Sequence, residues 1–191
     1  MERIGPCGLR TNGFHSPFTA LLEAITYQQL TGKAAGTILG RVYALYRPKR
    51  FPVPADILAT PVEALRGAGL SRAKAAALRD LALKTLDGTV PTLARLRRMD
   101  DAEILERLTS VRGVGPWTVE MLLIFRLARP DVLPATDYGI RKGFRLAFRS
   151  RGLPTPAQIL RRGEKWRPYR TVASWYLWRA VDTATPDAGA T

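Results

Sequence analysis

Residues 108 to 118 read Leu-Thr-Ser-Val-Arg-Gly-Val-Gly-Pro-Trp-Thr, two closely spaced glycines between two stretches of helical pattern. No other stretch constrains the chain as much. Glycine has no Cβ, so the backbone there can turn tightly and come close to a ligand. Pro116 suits the first position of the following helix, whose opening amides lack an intrahelical partner and attract anions. The local reading is two helices joined by a hairpin able to hold an anionic group, although an ordinary helix corner uses glycine in the same way. Twenty-two residues after Gly115 comes a lone acid, Asp137, within Leu-Pro-Ala-Thr-Asp-Tyr at 133–138.

Charge says which anion to look for. Thirty Lys and Arg against sixteen Asp and Glu give the 191-residue chain a net charge of +14, which points to a polyanionic partner. Residues 141 to 170 carry ten of the basic residues and one acid, Glu164, and so supply +9 of that charge. A solvated helix surface would also be basic, but clustering of this kind favours nucleic acid. A membrane is not expected: no stretch reaches the ~18 apolar residues of a spanning helix, and the first residues lack the apolar core of a signal peptide. An intracellular protein is the reading. Cys7 and His15 are the only residues of their kinds, which excludes an intrachain disulfide, a Cys-rich zinc site and a four-cysteine iron–sulfur cluster.

Hydrophobic residues make up 46% of the chain, enough for a real core. They recur at helical spacing with Pro and Gly punctuation, so the fold class is all-α. Helices are expected over 16–30, 32–46, 55–66, 71–86, 92–98, 100–108, 116–128, 138–148, 156–165 and 168–182, with the 116–128 helix apolar over much of its circumference and central. The Pro130 to Pro134 connector divides the expectation into an N-terminal extension (1–15), a helical lobe containing the hairpin (16–129), a second lobe (130–182, with residues 1–15 as an optional part of it) and a flexible tail (183–191). An active-site cleft is expected between the lobes.

The hairpin, the Pro loop and the Asp resemble the helix-hairpin-helix superfamily of DNA base-excision glycosylases. Three further blocks, Ala24 to Thr31, Gly69 to Lys74, and Trp166 to Arg170 with Trp178 downstream, are similar to the 3-methyladenine DNA glycosylase II branch, in the same order. The resemblance implies a compact form without the family's N-terminal β-rich domain, with Phe14 as a candidate pocket wall. It implies a monofunctional enzyme that hydrolyses the N-glycosidic bond of 3-methyladenine- and 7-methylguanine-type bases in double-stranded DNA and leaves an abasic site. A monomer is expected. A glycosylase for oxidised or deaminated bases and a non-catalytic DNA-binding module are the alternatives.

Asp137 is the expected catalytic residue, and an Asp before a helix is also an ordinary N-cap. The two roles are compatible, because amides at a helix start favour the charged carboxylate that an oxocarbenium-like transition state needs. An N-alkylated base already carries positive charge and departs neutral, so one carboxylate suffices. Glu120 is a possible helper, but the preferred reading is a solvent-facing helix residue. The resemblance puts Trp117, Met121, Tyr138, Trp178 and Tyr27 around the base. It puts Gln28, Gln29, Leu30, Arg112, Gly113, Val114, Gly115 and Thr118 on DNA, with Gln29 or Leu30 as the wedge that fills the flipped base's place, while Leu30 as plain core stays open. It further implies that main-chain oxygens of Thr109, Val111 and Val114 hold a potassium or sodium ion. No catalytic cofactor and no iron–sulfur cluster are expected. Bifunctional relatives carry a lysine two residues past the second hairpin glycine, where this chain has Trp117. Trp166 and Tyr169 read as packing residues, and Arg167 and Arg170 as DNA contacts or capping groups.

Overall fold

The computed structural model describes residues 4–13 and 15–184. Phe14 and residues 185–191, on which two of the expectations fall, lie outside the described residues. Among those described, the chain forms eleven α-helices, one 3-10 turn and no strand: α1 (Pro17–Tyr27), α2 (Gly32–Ala44), α3 (Pro54–Ala59), α4 (Val62–Gly67), α5 (Arg72–Leu86), α6 (Leu93–Leu96), α7 (Asp101–Thr109), α8 (Pro116–Phe125), α9 (Tyr138–Phe148), α10 (Pro156–Gly163), the turn Glu164–Trp166, and α11 (Arg170–Ala184). The all-α class follows from sequence as expected.

Capping explains most helix starts. Ser16, Thr31, Ser71, Thr92, Asp100, Asp137 and Thr155 each accept the N–H of the residue three positions on. Each such cap contributes about 1 kcal/mol. Where the sequence pattern suggests one helix over 55–66 there are two, because Pro61 disfavours helical backbone at Thr60, which is extended (φ −78, ψ 128). α8 ends at Phe125, three residues early, and Ala128 beyond it takes a left-handed φ of 55.

The chain divides into two compact units, Gly13–Val119 and Met1–Asn12 with Glu120–Thr191. The division falls within α8, ten residues before the connector where sequence expects it, and the first residues go with the C-terminal unit. The connector is bound to α11: Thr171 accepts the N–H of Val132 (3.0 Å) and donates to the carbonyl of Arg129 (2.6 Å), and Ser174 donates to that of Val132 (3.1 Å). In the same unit Asn12 N–H bonds the Phe125 carbonyl at 2.9 Å, and the Tyr176 hydroxyl bonds that of Gly5 at 3.0 Å.

The Gly13–Val119 unit has its core on α1, α5 and α7, where Leu21, Leu22, Ile25, Leu78, Leu81, Ile104 and Leu108 are completely buried. Each contributes about 2 kcal/mol of transfer free energy. The other unit packs Leu133, Ala135, Ile140, Phe144, Ile159 and Leu177, with Trp166 and Trp178 against them. Here α9 lies directly on α11: a Cβ on Gly143 would stand 1.9 Å from the Leu177 carbonyl oxygen, so only glycine permits the crossing.

Candidate active site

Asp137 is half-buried at the start of α9, where two donors converge on its Oδ1. The Ile140 amide donates at 2.7 Å and the Trp178 indole Nε1–H at 2.9 Å. Both bonds go to a charged acceptor, each a type that contributes about 1.5–3 kcal/mol and fixes direction as well. The glycine between them makes room. A Cβ on Gly139 would lie 3.0 Å from Asp137 Oδ1 and 3.0 Å from Trp178 Cδ1. Trp178 in turn stacks on Phe125 with ring centroids 5.9 Å apart. Trp178, expected as a pocket wall, is therefore also the donor that orients the carboxylate. Sequence reasoning missed Gly139 and Gly143, whose role appears only when α9 and α11 are placed together.

Glu120 departs from expectation. It is half-buried, its Oε2 is fully buried without a hydrogen-bond partner, and burial first, then the charge of Asp137, pushes its carboxyl up to about 7. A solvent-facing glutamate would show none of this. The helical pattern gave no warning, since α8 is apolar around most of its circumference and has no clear polar face.

In the other unit, the hairpin between α7 and α8 turns at Gly113, with φ 77. Val114 N–H closes the turn on the Val111 carbonyl at 3.0 Å. From α5, Asp80 accepts the Arg112 amide at 2.7 Å and Lys84 at 3.0 Å, and Lys84 also reaches the Ser110 carbonyl. The amides of Gly113 and Gly115 make no hydrogen bond among the described residues, whereas that of Thr118 donates to Gly115 (3.0 Å) and its side chain is buried. Two uncommitted amides, one on each side of Val114 on a braced turn, are donors of the kind that an anion receptor uses. Trp117, just past them, is 47% exposed.

The loop after α1 is tied to that hairpin. Gln28 Nε2 donates to the Gly113 carbonyl at 2.8 Å, and Lys74 holds the carbonyls of Thr26 and Gln28 at 2.8 and 2.7 Å. Gln29 sits in left-handed backbone (φ 57), and Leu30 after it is 40% exposed, so it is not core. Tyr27 and Tyr138 are 43% and 68% exposed, and Met121 is half-buried.

Arg170 binds both Asp131 oxygens, with Nε at 2.6 Å, and Arg167 bridges Asp131 (2.7 Å) and Glu164 (2.8 Å), so these arginines clamp the connector to the start of α11. Although partial burial works to raise it, hydrogen bonds from Arg170 hold the Asp131 carboxyl below its usual range. Trp166 packs, stacked 6.1 Å from Phe148, but Tyr169 is 65% exposed and does not. Among the described residues no group of three or more His, Cys, Asp or Glu could hold a metal ion, and no helix is long and apolar enough to cross a membrane.

Known proteins are similar to this chain in sequence and fold. DNA-3-methyladenine glycosylase 1 of Schizosaccharomyces pombe is 41% identical over 168 residues, 88% of this chain and 74% of the relative. The solved structure of the S. pombe 3-methyladenine DNA glycosylase Mag1 in complex with abasic DNA superposes with a TM-score of 0.82 at 36% identity, covering 99% of this chain and 93% of that one. A DNA-3-methyladenine glycosidase from Bacillus halodurans gives 0.86 at 33% identity, covering 96% and 82%. Residues 22–168, which include the hairpin, Asp137 and the Trp166 to Pro168 block, match the profile of the HhH-GPD superfamily base excision DNA repair protein, and the chain belongs to that family.

Proposed function

We propose that this chain is a monofunctional DNA glycosylase that excises N3- and N7-alkylated purines from duplex DNA. The observation that carries this reading is Asp137, held in one orientation by Trp178 and Ile140 in a chain of this family. As the C1′–N bond breaks, positive charge builds on the deoxyribose, and the anion of Asp137 stabilises it. The bonding electrons leave with the alkylated base, which its prior positive charge makes neutral. Water then bonds to C1′ and releases a proton to solvent. Trp117 offers no amine, so no imine forms at that position and the strand stays intact.

The uncommitted Gly113 and Gly115 amides take a DNA phosphate, assisted by the Arg112 side chain, whereas the Val114 and Thr118 amides, expected to share that role, are already bonded to the Val111 and Gly115 carbonyls. Carbonyls of Thr109, Val111 and Val114 are hard, neutral oxygens of the kind that suit sodium or potassium, whose charge would add to the grip on that phosphate. Leu30 is the wedge: an exposed apolar side chain on a loop anchored by Gln28 and Lys74 can replace a flipped base, whereas Gln28 has committed its amide to the hairpin. The exposed rings of Tyr27, Trp117 and Tyr138, with Met121 and Trp178, make the base contacts, and electron-rich faces favour a cationic purine. The protein acts as a monomer.

Incubation with methylated duplex DNA, without divalent metal, tests the proposal when free bases and strand breaks are both measured. Release of 3-methyladenine from unbroken strands is expected. Breaks by β-elimination would overturn the monofunctional assignment, and binding without release would leave only a DNA-binding module.

A further inference from the structure

Residues 141–170 hold ten basic residues, and the structure separates them by what they do. Arg167 and Arg170 are bound to Asp131 and Glu164, and Arg141 donates to the Pro154 carbonyl at 2.9 Å. Four of the others, Arg151, Arg161, Arg162 and Lys165, line a single depression of about 580 Å³ beside Gln158 and Phe144. No carboxylate lines it. Glu164, the one acid in the stretch, is engaged by Arg167 at 2.8 Å and lies 3.6 Å from Arg170, and none of the four cations has an ion-pair partner among the described residues. Arg162 is held by its stack over Phe148, 4.7 Å from the ring centroid.

Four like charges gathered in one concavity repel each other, and in a purely structural patch an acid would be expected among them. The last turn of α10 stabilises two of these cations through the helix dipole, but that does not account for Arg151 and Lys165, which come from outside the helix. A concave, single-sign surface concentrates the field and recruits an anion, and guanidinium forks match phosphate oxygens. An isolated carboxylate needs one such fork; four cations suit a chain of phosphates.

We propose that this depression is a second backbone subsite, distinct in sequence from the Gly113–Gly115 hairpin, that takes phosphodiesters of a nucleic acid strand. It rests on the reading of duplex DNA as this chain's partner and adds a contact that the hairpin and Asp137 do not require. Arg151, Arg161 and Lys165 supply mobile charge, and Arg162, fixed on Phe148, gives direction.

The test compares the triple variant Arg151→Gln, Arg161→Gln, Lys165→Gln with a control, Arg66→Gln, Arg95→Gln, Arg98→Gln, which removes the same charge from exposed positions of the other unit. Arg162 is retained so that packing is undisturbed, and melting curves check that both variants fold. The probe is a duplex with one tetrahydrofuran abasic-site analogue, titrated at several salt concentrations and mapped by phosphate-ethylation interference. The pocket variant should bind about tenfold more weakly, lose about one to two from the slope of log K against log salt, and drop one or two phosphates from the interference map. The control should keep the wild-type map. Equal losses in both variants would mean bulk charge alone, and an unchanged pocket variant would remove the subsite. Loss of affinity for poly-glutamate with duplex binding retained would point to an acidic protein and overturn the proposal. A wild-type chain that fails to bind the duplex would instead overturn the DNA reading beneath it.

Discussion

The hairpin and the Asp137 site hold their working groups by opposite means. At the hairpin the proposed functional atoms are main-chain amides, and side chains such as Asp80 and Lys84 serve as braces. At Asp137 the proposed functional atom belongs to a side chain, and its orientation depends in part on a residue 41 positions away. A backbone device should tolerate most changes that keep the turn, whereas a side-chain device should fail when either partner changes.

The largest effect is expected from Asp137→Asn, which keeps the shape and the N-cap but removes the charge. Single-turnover release of 3-methyladenine should fall roughly 10³-fold, while affinity for an abasic duplex, read by fluorescence anisotropy, stays within about twofold, the spread a surface change usually produces. Equal losses in release and binding would erase the division of labour between the two regions.

How far each region could be read in advance follows from the same contrast. Two glycines and a proline in one short stretch announce the hairpin, because tight turns and helix starts depend on local backbone preferences. Asp137 was visible as an acid before a helix. Its bond to Trp178, the glycines that make it possible and the burial of Glu120 were not, since each depends on how α8, α9 and α11 pack. Helix ends were misjudged where a proline acted one residue upstream, at Thr60. Sequence does not choose between Gln29 and Leu30 as the wedge, and the exposure of the apolar Leu30, which sequence left open as core, depends on how the loop after α1 is held.

Trp178→Phe sharpens the comparison next. It keeps a ring on Phe125 and removes the N–H given to Asp137, so base release should fall about 10- to 100-fold with little change in melting temperature. A loss below twofold would mean that the ring alone matters. Gly113→Ala tests the other region. At φ 77 an alanine costs about 1–2 kcal/mol, and its Cβ would come 3.4 Å from Ala77; duplex affinity should fall about tenfold, with release at saturating DNA preserved.

The smallest effect concerns Glu120. Its folded-state carboxyl lies at about 7 against an ordinary 4.5, so the folded protein binds that proton more tightly than the unfolded chain. Stability from this group is present below about 4.5 and is lost as pH rises through about 7. Glu120→Gln should therefore melt with wild type at pH 4.5 and above it at pH 8, by about 1 kcal/mol once solvent screening is allowed for. A variant less stable than wild type at pH 8 would show that the charged form is favoured in the folded state.

The contact of Gly143 with the Leu177 carbonyl sets the pitch at which α9 meets α11 without any side chain between them. The carboxylate at the head of α9 thereby inherits its position from two backbones. Residues proposed to touch a base can then vary without retuning the proposed bond-breaking group. A chain built this way can change which lesion it accepts while keeping how it cuts.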